Sequence, residues 1–133
     1  MIKTITSPDN AVESRSSRMW LDEEGIVIAV NKPTPMHELT DALENIDIIK
    51  QLSLGKPRPL LVDMTEMKSM AREAREEYAS AGANHVVTAI GMVTRSAMGR
   101  IVANFFLSFN KPGVPTRLFN NAEAAKKWLG QFR

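Results

Sequence analysis

An α/β domain of two layers is predicted, with a mixed five-stranded sheet and helices packed mainly on one face. Three features predict it. The first is the run Pro57-Arg58-Pro59-Leu60-Leu61-Val62-Asp63-Met64-Thr65. Consecutive apolar positions after two prolines read as a strand buried on both faces, because such a strand has no polar side to alternate with. The second is the change to helical apolar spacing from Ser69 onward. Strand, tight connection and helix together form a crossover unit, which makes the sheet at least partly parallel. The third is the recurrence of that alternation to the end of the chain, in the order β-β-α-β-α-β-α-β-α. Sheets of this kind keep their sites at the carboxyl ends of the strands.

Taken in order, residues 1–10 are a polar, flexible lead-in with Pro8 and Asp9-Asn10, and 11–133 form one domain. Segment 12–21 carries Arg15, Ser16, Ser17 and Arg18 before Met19-Trp20-Leu21, which suits an exposed edge strand. Asp22-Glu23-Glu24-Gly25 has turn chemistry, and the β-branched run 26–30 closes a hairpin with the first strand. Pro33 and Pro35 break the sheet. Thr34 is placed as the cap of a first helix, whose stripe is Leu39, Leu43 and Ile46 with Ala42, Ile49 and Ser53 alongside. Gly55 and Pro57 stop it, and the buried strand 60–64 follows. Ser69 is expected to cap the second helix, with Met70, Ala74, Tyr78 and Ala81 inward and Gly82 at its end. Strand 86–93 comes next. Ser96 should cap a third helix with Met98, Ile101, Val102, Phe105 and Phe109 inward. A turn at 110–113 leads to strand 114–119. Asn120 or Asn121 caps the last helix, where Glu123 and Lys126-Lys127 complement the dipole and Trp128 and Leu129 pack on the sheet.

Composition narrows the class. With 133 residues, the chain is long enough to bury roughly two-thirds of its unfolded surface. Lys and Arg exceed Asp and Glu by 17 to 15, too narrow an excess for a nucleic-acid surface. No cysteine is present, which excludes disulfides and thiolate metal sites and fits a reducing cytoplasm. No window is apolar enough for a membrane span, and Met1-Ile2-Lys3-Thr4 lacks a signal-peptide core. A cytoplasmic protein is expected.

Several stretches carry a family resemblance: Trp20-Leu21, Arg58-Pro59-Leu60-Leu61-Val62-Asp63, Arg72-Glu73-Ala74-Arg75, Asn104-Phe105-Phe106-Leu107, Asn110-Lys111-Pro112, Pro115-Thr116-Arg117-Leu118-Phe119, Ala124 and Trp128-Leu129. With the order of elements, they make the chain resemble the STAS domain of SpoIIAA-like anti-sigma-factor antagonists, within an uncharacterised bacterial group. The resemblance implies a non-enzymatic regulatory domain that binds a protein partner. Such antagonists are switched by phosphorylation of a serine in an Asp-Ser-Ser-Gly-like motif opening the second helix, where phosphate meets the helix N-terminus. The corresponding stretch here is Ala71-Arg72-Glu73-Ala74, so the phosphoacceptor is missing by residue type.

Other motifs fall short of catalysis. His37-Glu38-Leu39-Thr40-Asp41 resembles a truncated zinc-protease motif, but Asp41 replaces the second histidine and His85 lies far along the chain. It reads instead as polar residues in a solvated first helical turn. Asp63, Thr94 and Lys111-Pro112 lack the further acids a receiver-type magnesium site needs. No nucleophile elbow or phosphate-binding loop occurs. No catalytic residue, metal ligand or cofactor is therefore assigned.

The expected partner surface is Met67, Lys68, Ser69, Arg72 and Glu73 with Thr94, Arg95 and Ser96. An alternative rests on Met64, Met67, Met70, Met92 and Met98, which should gather near the carboxyl edge of the sheet. Methionine suits adaptable apolar surfaces, and a groove rimmed by Arg72, Arg95 and Arg100 would take a small apolar anionic, lipid-like ligand or an amphipathic helix. Phe105 and Phe109 share a helical face, so Phe106 or Leu107 should be left for a homodimer contact.

Overall fold

The computed structural model describes residues 7–109 and 113–133. Residues 1–6, the turn at 110–112 and the Phe109 side chain, each the subject of an expectation above, lie outside the described residues. The elements are β1 (Val12–Glu13), β2 (Ser17–Leu21), β3 (Val27–Asn31), α1 (Leu39–Leu52), β4 (Arg58–Asp63), α2 (Arg72–Ala83), β5 (Val87–Val93), α3 (Ala97–Phe109), β6 (Thr116–Phe119) and α4 (Ala122–Leu129), with a final 3-10 turn at Gly130–Phe132. One sheet runs in the order β1-β2-β3-β4-β5-β6. Its first three strands are antiparallel and β3 through β6 are parallel.

The sheet has six strands rather than five, because segment 12–21 folds back on itself. The Ser14 hydroxyl accepts hydrogen bonds from the amides of Ser16 and Ser17, at 3.3 and 3.0 Å. A serine that bonds the backbone ahead of it offers an alternative to the ladder, and the chain turns there. The two-residue β1 takes the edge, and β2 is flanked on both sides.

β4 is buried as expected, with Leu60 and Leu61 in opposite cores. Pro59 brings no amide proton to its ladder, and the pairing with β5 shifts register between Arg58 and Leu60. The layering differs from a simple two-layer arrangement. Met19, Val27, Ala29, Leu60, Ile90 and Met92 face the core shared with α1, α2 and α3. Ile26, Ile28, Leu61, Ala89 and Val93 face Ala125 and Leu129 of α4 on the other side. α4 sits close because Gly91 has no side chain: a Cβ there would lie 3.0 Å from Leu129 Cδ1. Among the described residues no helix is long and apolar enough to cross a membrane.

Helix caps only partly follow the expectation. Asn121 caps α4 by accepting from the Ala124 amide at 2.8 Å. Ser96 caps α3 by accepting from the Gly99 amide at 3.0 Å. α1 starts at Leu39 instead, after Glu38, whose amide donates to Asp41 Oδ2 at 2.8 Å. Leu39 and Leu43 are exposed, and the inward face is Ala42, Asn45, Ile46 and Ile49. Ser69 does not cap α2. Its hydroxyl donates to the Pro35 carbonyl at 2.8 Å, and Ala71 occupies the cap position. Gly82 is buried within α2 rather than ending it. Replacing the α4 cap by Asn121→Ala should lower the unfolding free energy by about 1 kcal/mol. A urea transition with an unchanged midpoint would show that the cap carries no stability.

α3 is rotated relative to the expectation. Gly99, Ala103 and Phe106 are buried, while Met98, Ile101 and Phe105 are exposed. Phe106 belongs to the core, so it is not available to a second subunit.

Candidate functional site

The space between the sheet and helices α1 and α2 holds a cavity of about 90 Å3. Its lining extends from the carboxyl ends of β3, β4 and β5, at Asn31, Met64 and Met92, to Val86 and Val87 where β5 begins. Four of the five methionines expected to gather do so: Met64, Met67, Met70 and Met92, joined by Met19. Met98 does not, because the rotation of α3 turns it to solvent. None of Arg72, Arg95 and Arg100 lines the cavity, so the expected cationic rim is not part of this site.

The polar end of the cavity is a buried network that the sequence reading missed. Asn45 projects from the apolar face of α1 and donates to Ser16 Oγ at 2.9 Å and Tyr78 Oη at 3.0 Å. Its carbonyl accepts from Ser14 Oγ at 2.7 Å. Tyr78, from α2, lies 2.6 Å from His37 Nε2. Asn31, at the end of β3, donates to Ser17 Oγ at 2.9 Å. The visible signal was Asn45 itself, a polar residue in phase with Ala42, Ile46 and Ile49. A side chain held at a core position of a helix needs buried partners.

His37 is therefore a core residue, contrary to its placement in a solvated turn. It is 1% exposed, and its backbone is stitched to the approach of α2 by bonds to Ser69 and Ala71. Burial pushes its pKa down to about 4, against a smaller upward pull from Asp41. Burial likewise pushes the Tyr78 phenol up. Asp41 is buried and receives Arg15 in a two-pronged pair, Nε at 2.9 Å and Nη2 at 2.6 Å. That guanidinium holds the Asp41 carboxyl below its ordinary value.

The residues expected to form a partner surface are dispersed. Met67 is buried in the cavity wall. Thr94 is fully buried, and its hydroxyl accepts from the Ser96 amide at 3.2 Å. The Arg95 amide donates to Thr65 Oγ1 at 3.3 Å. Lys68, Arg72 and Glu73 are exposed, and Arg72 pairs with Glu76 one turn along α2. On α3, Met98, Ile101 and Phe105 form a stripe that is 52%, 61% and 42% exposed. Arg75 of α2 bridges to it, with its guanidinium 4.4 Å from the centre of the Phe105 ring.

The family model for a domain of unknown function, DUF7793, matches residues 19–133. The chain belongs to the DUF7793 family. No curated protein matches it significantly. Among solved structures it is similar to an uncharacterised DUF3478-family protein with a SpoIIAA-like fold from Shewanella loihica PV-4. Identity is 12%, coverage is 95% of this chain and 99% of that one, and the TM-score is 0.56. The fold of this DUF7793 chain is thus SpoIIAA-like, as the resemblance implied.

Proposed function

We propose that this DUF7793 domain is a non-enzymatic regulatory module that docks another protein through the outer face of α3 and the adjoining start of α2. The stripe of Met98, Ile101 and Phe105 carries the reading, since adjacent exposed apolar side chains favour a covering partner. Its SpoIIAA-like fold supports it further, being the fold of antagonists that act by binding. The Arg75 guanidinium over the Phe105 ring sets one cation at the edge of the stripe, which suits an amphipathic helix with an acidic flank. Polar groups at the ends of β4 and β5 are engaged in holding loops. Asp63 accepts from the Thr65 amide at 2.9 Å, and Ser96 caps α3. With the phosphoacceptor position occupied by Arg72 and Glu73, docking would not depend on a serine switch there.

Native mass spectrometry of protein purified from its own host tests this, with a Met98→Glu/Ile101→Glu double variant alongside. The wild type should carry a different protein chain in stoichiometric amount. The double variant should lose it while melting within about 2 °C of wild type, since both positions are exposed. A lone chain, a complex with only a second copy of itself, or a companion retained by the double variant would each refute the reading.

A further inference from the structure

We propose that the cavity beneath α1 and α2 is a binding site for a small uncharged amphiphile, its apolar body among the methionines and its hydroxyl or amide head between Asn31 and His37. This inference concerns the interior and is independent of the α3 surface.

The wall selects the body. Met19, Met64, Met67, Met70, Met92 and Phe106 line the space, and unbranched thioether side chains adapt to irregular apolar shapes. The space, about 90 Å3, is several times the roughly 10–15 Å3 that a single water needs, so it has room for a multi-atom apolar body.

The hydrogen bonds select the head. Asn45 Nδ2 directs its two protons to Ser16 and Tyr78, at 2.9 and 3.0 Å, and lies 3.4 Å from His37 Nε2. Tyr78 Oη accepts one of them, and the acceptor left within reach of its own proton among the described residues is His37 Nε2, 2.6 Å away. That makes Nε2 the acceptor and leaves the imidazole proton on Nδ1. His37 Nδ1 is buried and has no partner among the described residues, and neither has Asn31 Oδ1 on a residue only 5% exposed. Both residues line the cavity, which thus offers one unpaired donor and one unpaired acceptor. A hydroxyl or primary amide answers both, and buried polar groups are ordinarily paired. An anionic head, expected from the sequence, finds no counter-charge: among the described residues no charged side chain lines the space, and an unpaired buried charge is strongly disfavoured.

The test titrates the full chain at neutral pH with n-octanol, its isostere heptyl methyl ether, and octanoate, observing labelled methionine methyl groups by NMR. n-Octanol should shift Met19, Met64, Met67, Met70 and Met92 while leaving the exposed Met36 and Met98 in place. It should bind about tenfold tighter than the ether, which has no proton to give Asn31, and at least tenfold tighter than octanoate. Asn31→Leu should abolish the preference for alcohol over ether. Ala81→Leu, which fills the cavity from α2, should abolish binding of all three and keeps the proposal testable if Asn31→Leu does not fold. Shifts confined to Met98, octanoate bound as tightly as the alcohol, or undiminished binding in Ala81→Leu would overturn it.

Discussion

Gly99→Ala should destabilise the domain by about 3 kcal/mol or more, the upper end of what overpacking costs. Gly99 lies in the first turn of α3, where a Cβ would sit 2.5 Å from the Met64 carbonyl oxygen, 2.9 Å from Ser96 Oγ and against Thr94 Oγ1. The side-chain oxygens could rotate, but the carbonyl cannot retreat. The Met64 amide is bonded to the Val93 carbonyl at 2.7 Å, and its carbonyl receives the Met67 amide at 3.0 Å. Thr94 is held in turn by the Phe119 carbonyl at 3.2 Å. α3 must therefore lift away from the ends of β4 and β5. Gly130→Ala is the matched control, because nothing lies within 4 Å of a Cβ there, and it should leave stability within about 0.5 kcal/mol of wild type. Urea denaturation compares the two, and equal midpoints would show that the packing at Gly99 is looser than described. Loss of function should follow loss of packing, since Met64 lines the cavity and Met98 adjoins Gly99 on the exposed stripe.

Acidification from pH 6.5 to about 4 should cost the fold roughly 3 kcal/mol through His37 alone. The imidazole is neutral in the folded protein down to about pH 4, whereas an unfolded chain protonates it near 6.5. Between those values the unfolded state binds the extra proton, so stability falls as pH falls. Above 6.5 neither state is charged and the effect vanishes. Below 4 both states are protonated and no further loss comes from this residue. His37→Gln should flatten the limb between 6.5 and 4 in denaturation midpoints taken across pH. A second limb belongs to Asp41, whose folded pKa is lowered by Arg15. Its contribution is complete above the ordinary carboxyl value of 3.8 and disappears as pH drops through the lowered one. The two limbs occupy separate windows, so a histidine variant that left the first unchanged would show that His37 is not buried uncharged.

The elements that need no choice of phase, or offer only one, were legible in the amino-acid order. β4 is apolar on both sides, so either register buries it, and its position between β3 and β5 follows. α4 carries its own cap in Asn121, and Leu129 falls on its inner face with Ala125. α3 was different. Apolar residues surround nearly its whole circumference, so periodicity alone could not orient it. Close approach to the ends of β4 and β5 decides the matter, by turning the small residues Gly99 and Ala103 inward and leaving Ile101 and Phe105 outside. Segment 12–21 contains no glycine or proline to mark a turn, and only the bonds of Ser14 to the amides ahead of it reveal one.

By itself, then, the order of residues determined the alternation of strands and helices, the buried parallel centre of the sheet and the gathering of methionines near its carboxyl edge. These depend on local periodicity and on residues close in sequence. The polar end of the cavity was decided only in three dimensions. It brings together Ser14 to Ser17, Asn31, His37, Asn45 and Tyr78 from five separate parts of the chain. A buried hydrogen bond has no signature in either partner's neighbours along the chain, because its energy depends on who is met across the core.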